Sequence, residues 1–336
     1  MIASHLNSRE SICFGLIVLA TAMAAGQGPL APTGTPAPIM KSLDQVEART
    51  PIGQPATFPI NITTSGSYYL TQNLTVGTSN TNAIFINASF VTLDLNGFLI
   101  TGPGNVGTTG NGIAVNGATA ISDIVIENGS VTNFRGEGIS IPVGTTAVPI
   151  GSVTGVHLRN LQVFSCNLGQ GVDSGLAGIR TGSVGVIENC IARNNNNGII
   201  VGNGMLVQNC VSDNNARNGM VIGANNVIRH NMFKNNGQVG NGRQDAGLFL
   251  PASVTAFPVA AAQNRIEGNH FLNNAEFGIQ ITADENLVIL NTAVDNGAGA
   301  QGDNYQIGPN NRYGSLLNVS GTGQFTSSES FANFYY

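Results

Sequence analysis

The sequence is poor in charge. Asp, Glu, Lys and Arg make up only 9% of its 336 residues, Trp is absent, and the net charge is −5 with no run of Lys or Arg. Without a basic face, nucleic acid is excluded as a partner. Because 42% of the residues are hydrophobic, the low charge does not indicate disorder, which requires low hydrophobicity as well.

Long apolar runs are also missing. The one apolar run, residues 12–25, is too short for a comfortable membrane span. Ala22-Met23-Ala24 near its end has an A-x-A cleavage pattern, so residues 1–25 are interpreted as a signal peptide, with an uncleaved anchor as the alternative. This predicts a secreted, periplasmic or cell-surface bacterial protein that has no membrane span after cleavage.

Proline and glycine divide the rest of the chain. Residues 26–57 are rich in proline and read as a linker or extended arm, in which Leu43 to Ala48 could form one short helix after a capping box. From Phe58 to Tyr336, apolar alternation is broken by many of the 44 glycines and by asparagine, which is typical of short strands joined by turns.

An internal repeat of about 22 residues runs through the second half of this region. Its segments include VIENCIARNN from Val186 and IEGNHFLNN from Ile266, and each carries two asparagines on a common spacing. The first set recurs at intervals of 20, 22, 38 and 22 residues, where the long interval holds insertions. The predicted structural ladder consists of Asn189, Asn209, Asn231, Asn269 and Asn291 in one set, and Asn194, Asn214, Asn236, Asn274 and Asn296 in the other.

This period predicts an all-β solenoid, a right-handed parallel β-helix. Three short strands and three turns fill a coil, and each coil stacks about 4.8 Å from the last. Asn tolerates left-handed turns, and its amide can bond to the same amide on the next coil. Helix-breaking residues in every repeat argue against an α-solenoid, and the period is too short for a β-propeller. The aromatic C-terminal tail is predicted to cap one end.

The repeat Asn-x-Ile-x-x-Asn resembles the right-handed β-helix, or pectin-lyase-like, superfamily. The segments MKSLDQVEARTPI, GSYYLTQNLTV and VTLDLNGFLITG are similar to secreted bacterial members of it, and the resemblance extends from Met40 to the C-terminus. It implies the fold and leaves the activity open, because the superfamily includes enzymes and non-catalytic surface proteins. The Asn-Thr-Asp, Gly-His-Gly and Arg-Ile-Lys motifs of polygalacturonase-like hydrolases do not occur here.

Two groups of residues could carry chemistry. The insertion between two repeats carries Arg243 and Asp245, and it is expected to lie across coils that bear His230 and Glu267. These four are the candidate catalytic or binding cluster, since loops on a rigid solenoid often carry function. The alternative is that they are ordinary surface residues.

The second group is the position that follows the first ladder asparagine. It holds Cys190, Cys210, Met232, His270 and Thr292 on successive coils, and strand alternation predicts that it faces outward. The first four side chains could bind copper or zinc. A Cys190–Cys210 disulfide and unpaired thiols that merely fill the position are the alternatives. Apart from this metal hypothesis, no cofactor is expected.

Three functions remain open at this point. The scarcity of acids favours a monomeric, non-catalytic exported β-helix that binds a polysaccharide or another cell-surface component. The second hypothesis is a polysaccharide lyase or glycoside hydrolase with a divergent site, which requires carboxylates that converge in one groove. The third is a periplasmic copper-handling protein that uses the outward column.

Overall fold

The structure is a computed structural model that describes residues 48–104, 107, 109–142, 153–168, 176–237, 245–252, 260–297, 303–319 and 328–336. The predicted signal peptide, nearly all of the predicted short helix and Arg243 lie outside these ranges. The first strand begins at Thr50, inside the segment that the sequence assigned to the linker.

The described residues form strands and no helix. In chain order the strands are β1 Thr50–Ile52, β2 Ile60–Ile62, β3 Gly66–Leu70, β4 Leu74–Thr75, β5 Ile84–Ile86, β6 Val91–Asp94, β7 Leu99–Thr101, β8 Ile113–Val115, β9 Ile121–Thr132, β10 Ile139–Ser140, β11 Val153–Phe164, β12 Ala177–Thr181, β13 Gly185–Glu188, β14 Ile191–Arg193, β15 Asn197–Val201, β16 Met205–Gln208, β17 Val211–Asp213, β18 Met220–Ile222, β19 Val227–Arg229, β20 Met232–Lys234, β21 Ala246–Leu250, β22 Arg265–Glu267, β23 His270–Leu272, β24 Phe277–Ile281, β25 Leu287–Ile289, β26 Thr292–Val294, β27 Asp303–Ile307, β28 Arg312–Tyr313, β29 Leu316–Asn318 and β30 Asn333–Tyr335.

All strand pairs are parallel and fall into a ten-stranded and a twenty-stranded sheet. From β12 to β26, each coil contributes one strand to the ten-stranded sheet and then two to the other, so that β15 is followed by β16 and β17. Equivalent strands of successive coils pair directly, as β13 with β16 and β16 with β19. The chain is therefore the right-handed parallel β-helix that the repeat predicted.

The core consists of inward-facing apolar side chains stacked in columns along the solenoid. One column in the twenty-stranded sheet runs through Ile187, Val207, Ile228, Ile266 and Val288, all of which are fully buried. No coil could bury these side chains alone, so the coils stabilise each other by stacking. In the neighbouring column the rings of two buried phenylalanines stack with centroids 5.2 Å apart, Phe233 and Phe271.

Asparagine ladders fill the corners between the strands, as predicted, but their register differs from the prediction. The amide of Asn231 donates to the side-chain oxygen of Asn269 at 3.1 Å, and Asn269 donates to Asn291 at 3.0 Å. The second ladder links Asn195, Asn215, Asn236, Asn274 and Asn296 through backbone or side-chain donors to each following amide oxygen.

Four of the predicted ladder residues, Asn189, Asn209, Asn194 and Asn214, lie outside these two ladders, although Asn214 still donates to the side-chain oxygen of Asn194 on the preceding coil at 2.6 Å. They occupy the position just before the ladder, where φ lies between 53° and 56°. Asparagine suits both positions, because it tolerates the left-handed backbone and also bonds between coils. Where two asparagines stand side by side, as in Asn194-Asn195, the residue pattern cannot tell the two apart.

A third ladder was missed by the sequence analysis. Asn226, Asn264, Asn286 and Asn311 precede strands β19, β22, β25 and β28, and the backbone amides of the first three donate to the side-chain oxygen of the next at 2.7 to 3.0 Å. At the C-terminus, β30 pairs with β26, and Asn333 accepts the backbone amide of Asn291 at 3.1 Å. The tail thus extends the first ladder by one further coil.

Candidate functional site

The structure does not bring the predicted polar cluster together. Asp245 immediately precedes β21 of the ten-stranded sheet, where it is fully buried and accepts a hydrogen bond from Arg217 Nε at 3.1 Å. Glu267 lies in the twenty-stranded sheet, and its carboxylate pairs with Arg265 at 2.6 Å. Among the three predicted residues that the structure describes, only His230 and Glu267 are neighbours, through a backbone bond of 3.3 Å. Arg243 lies outside the described residues.

The predicted outward column is also wrong in its first two members. The strand register places Val211, Met232, His270 and Thr292 side by side on successive coils. Cys190 and Cys210 are one residue earlier in their coils and point into the core, with at most 2% exposure. Alternation of the strand predicted their orientation incorrectly, because the left-handed residue at each corner shifts the register by one.

The two cysteines instead continue the first asparagine ladder. Asn231 accepts the backbone amide of Cys210 at 2.9 Å, as Asn269 does for Asn231. The Cys210 thiol contacts the carbonyl oxygens of Ile187 at 3.8 Å and Gln208 at 3.2 Å. The side-chain amides of the ladder asparagines donate to equivalent acceptors, which are a carbonyl oxygen of the preceding coil and the carbonyl oxygen of the residue two positions earlier.

Both cysteines are free thiols in the structure. The Cys190 thiol and burial raise the pKa of Cys210 well above its usual value, so the thiolate that would bind a metal does not form readily. Burial likewise raises the pKa of Cys166 to about 12. These thiols fill ladder positions and are not presented to solvent.

The structure shows instead a continuous band of polar side chains on the twenty-stranded sheet. Successive coils contribute the last outward-facing strand residue and, in four of them, the left-handed asparagine that follows it. We call this band the polar ribbon; it consists of Asp94, Glu127, Asn128, Arg159, Asn160, Glu188, Asn189, Gln208, Asn209, Arg229 and Glu267. It crosses seven coils, or roughly 29 Å by the stacking distance.

Hydrogen bonds between coils hold the polar ribbon in place. At its N-terminal end, Asn160 donates to Asn128 at 3.0 Å, and Asn128 donates to Asp94 at 3.2 Å. Farther along, Arg229 Nη2 donates to Gln208 at 2.8 Å and Gln208 donates to Glu188 at 3.0 Å. Side chains bonded in this way lose little further rotamer freedom when they bind a ligand.

Each carboxylate of the polar ribbon pairs with an arginine or a histidine side chain. Arg159 pairs with Glu127, and His157 Nε2 lies 2.9 Å from Glu188. At the two ends, Arg49 lies 3.2 Å from Asp94 and Arg265 pairs with Glu267. Four carboxylates and four guanidinium groups, those of Arg49, Arg159, Arg229 and Arg265, therefore balance along the band.

These pairs determine what the carboxylates can do. Hydrogen bonds from Gln208 and His157 lower the pKa of Glu188, which keeps it charged at neutral pH and unsuited to donate a proton. The bond to Glu127 raises the pKa of Arg159 and keeps the guanidinium charged. A general acid for glycoside cleavage needs the opposite shift, a carboxyl pKa that is raised.

An apolar strip lies beside the polar ribbon on the same face. Two residues before each ribbon position, four coils carry the half-buried side chains of Val125, Val186, Leu206 and Val227. His157 interrupts this strip between Val125 and Val186. The face thus combines hydrogen-bonding groups with apolar contact area, as binding sites for small or extended ligands commonly do.

The ribbon could have been found from the sequence. The dipeptides Glu127-Asn128, Arg159-Asn160, Glu188-Asn189 and Gln208-Asn209 each place a long polar residue before an asparagine at the end of an alternating strand. Of these asparagines, Asn189 and Asn209 were interpreted as ladder residues, and the long polar residues before them were not considered as a site. The same strand register places Arg229 beside Glu267 and Arg193 beside Asp213 on adjacent coils.

The described ranges lack two further features. No three or more His, Cys, Asp or Glu side chains gather there as a potential metal-binding group. Within the same ranges, no helix has the length and apolarity to span a membrane.

Comparison with known proteins identifies the fold. No family model matches the chain, and no curated protein matches it. Among solved structures it is similar to the Dettilon tailspike protein gp208, with a TM-score of 0.54 and 14% identity over 85% of this chain and 61% of that chain. It is also similar to an alginate lyase from Paenibacillus sp. strain FPU-7, with a TM-score of 0.51 and 14% identity over 79% of this chain and 87% of that chain. The chain thus spans less than two thirds of the tailspike, and at these identities the likeness establishes a shared parallel β-helix.

Proposed function

We propose that this protein is an exported β-helix that binds an extended, uncharged polysaccharide along the polar ribbon and does not cleave it. The observation that carries this proposal is the continuity of the ribbon, in which hydrogen-bonding side chains repeat over seven coils. A chain of sugars presents repeated hydroxyl groups. Amide and carboxylate oxygens can accept hydrogen bonds from these hydroxyls, and guanidinium groups can donate hydrogen bonds to them. The predicted signal peptide supports export to a compartment where such polymers occur.

Charge balance supports a neutral polymer over an anionic one. The two guanidinium groups of the ribbon, together with those of the adjoining Arg49 and Arg265, offset its four carboxylates, and the whole chain is acidic with a net charge of −5. A polyuronate such as alginate, the substrate named for the Paenibacillus lyase, would meet no net attraction here.

The state of the carboxylates supports binding without cleavage. Three of the four pair with arginine, the fourth, Glu188, is bonded by Gln208 and His157, and the pKa of Glu188 is lowered. Glycoside hydrolysis would need one of them to hold a proton at neutral pH while a second attacks or activates water.

The test is a glycan array that contains neutral polysaccharides, alginate and other polyuronates. We expect the wild-type chain to bind at least one neutral polymer and to release no reducing ends or unsaturated products from it. Arg229→Met combined with Gln208→Ala removes the central hydrogen bonds of the ribbon, so binding should weaken by about tenfold or more.

Arg193→Met is the matched control, because Arg193 lies on the same sheet but outside the ribbon, over the ring of Phe164. Its loss should leave glycan binding unchanged. Cleavage of any polymer, a preference for polyuronates, or equal effects of the Arg229→Met/Gln208→Ala double variant and of Arg193→Met would contradict the proposal.

A further inference from the structure

A shallow depression of about 370 Å³ lies across the corner from the C-terminal end of the polar ribbon. His230, Met232 and His270 line it, together with Gly268. Met232 and His270 are direct neighbours on paired strands, so their Cα atoms lie about 5 Å apart and both side chains face outward. His230 occupies the left-handed corner position two residues before Met232, with φ of 54°.

Gly268 makes room for the imidazole of His230. A Cβ atom on Gly268 would lie 2.8 Å from Cδ2 and 3.2 Å from Nε2 of that ring. The ring therefore lies over the coil that carries His270 two residues later. Two imidazoles and one thioether from two adjacent coils consequently border the same depression.

No other role is evident for the side chains of His230, Met232 and His270. Within the described ranges, neither the imidazole of His230 nor that of His270 takes part in a hydrogen bond or ion pair. Met232 is 39% exposed, whereas Met205 and Met220 are buried in the core. An apolar, flexible side chain in that position contributes little to packing. By contrast, the imidazole of His157 is engaged by Glu188.

We propose that His230, Met232 and His270 form a surface site for one monovalent copper ion. Imidazole nitrogen and thioether sulfur are ligands that suit Cu(I), and three of them are enough for this ion without a carboxylate. The site differs from the column that the sequence predicted. It includes His230 and excludes the buried thiols of Cys190 and Cys210.

The experiment is an anaerobic Cu(I) titration of the full chain against a chromophoric Cu(I) chelator. We expect one ion per chain. His230→Ala and His270→Ala should each weaken Cu(I) binding by more than about tenfold. Met232→Leu keeps the apolar volume and removes the sulfur, so it should weaken Cu(I) binding while leaving Cu(II) binding by the two imidazoles nearly intact.

Controls separate this site from the thiols and from histidine loss in general. Cys190→Ser with Cys210→Ser should retain the ion, and His157→Gln should leave the affinity unchanged. Circular dichroism confirms that each variant is folded. The proposal is overturned if the double variant His230→Ala/His270→Ala binds Cu(I) as the wild type does, or if a folded cysteine variant loses the ion.

Discussion

The coils of β9 and β11 and the coils from β19 to β26 fill the same two corners with different side chains. At the first corner, Gly129 and Leu161 stand where Asn231, Asn269 and Asn291 stand later in the chain. At the second corner, Phe134 precedes Cys166, whose backbone amide donates to the first ladder residue, Asn195, at 3.0 Å. The early corners are closed by apolar packing and the later ones by hydrogen bonds.

The cysteines mark the change from one region to the other. Cys190 and Cys210 separate Leu161 from Asn231 at the first corner, and Cys166 separates Phe134 from Asn195 at the second. A thiol is small enough for an apolar corner and still donates weakly to a carbonyl. It can therefore lie between an apolar neighbour and an amide neighbour without leaving either poorly packed or unbonded.

The largest expected effect comes from placing an amide in the apolar region. Leu161→Asn removes a fully buried side chain and introduces an amide between Gly129 and Cys190, which offer no amide partners. We expect the free energy of unfolding to fall by about 5 kcal/mol. Urea unfolding followed by circular dichroism measures it, with Leu161→Met as the volume-conserving control. A loss of less than about 1 kcal/mol would mean that the two regions are interchangeable.

The next effect tests the ladder register. Asn274→Ala removes an amide that donates to Phe233 and Asn296 and accepts both donors of Asn236. Several buried groups then lose their partners, and the free energy of unfolding should fall by about 4 kcal/mol.

The residue directly before it, Asn273, provides the matched control. Asn273 has φ of 53° and lies outside the ladder, so Asn273→Gly keeps the turn and should change the stability by less than about 0.5 kcal/mol. Equal losses for the two variants would contradict this register, and a larger loss for Asn273→Gly would place the ladder at Asn273.

The smallest effect is expected from extending the first asparagine ladder to the position of Cys210. Cys210→Asn should continue the first ladder, because Asn231 already accepts the backbone amide at this position and the carbonyl of Ile187 lies where an amide could donate. We expect a gain of about 1 kcal/mol in the same unfolding assay. Cys210→Ala, which cannot donate, should instead lower the stability slightly. An asparagine variant less stable than the alanine variant would contradict the interpretation of the cysteines as ladder substitutes.

Much of the fold could be predicted from the sequence, because stacking repeats the same residue types at a fixed period. Asn231, Asn269 and Asn291 define the coil, and their ladder follows from the chemistry of the amide. Register could not be predicted, since Asn194 and Asn195 are both suitable for either of two adjacent positions with opposite orientations. A shift of one residue moves a side chain from the core to the surface.

The candidate site was predictable only in part, and for the same reason. The aligned pair Arg229 and Glu267 follows from strand alternation, which is reliable within one strand. The burial of Asp245 and Cys210 depends on which sheet or corner a residue reaches, and this is fixed by contacts from distant coils. The approach of the His230 ring to the coil of His270 depends on Gly268 in that next coil, which no local sequence pattern reveals.

The most direct test of glycan binding is hydrogen exchange of the backbone amides with and without the bound neutral polysaccharide. The account predicts slower exchange at the exposed corners that contain Asn160, Asn189 and Asn209, and no change in β15, β18 and β24 of the ten-stranded sheet. Protection confined to the ten-stranded sheet, or unaltered exchange at saturating polymer, would contradict it.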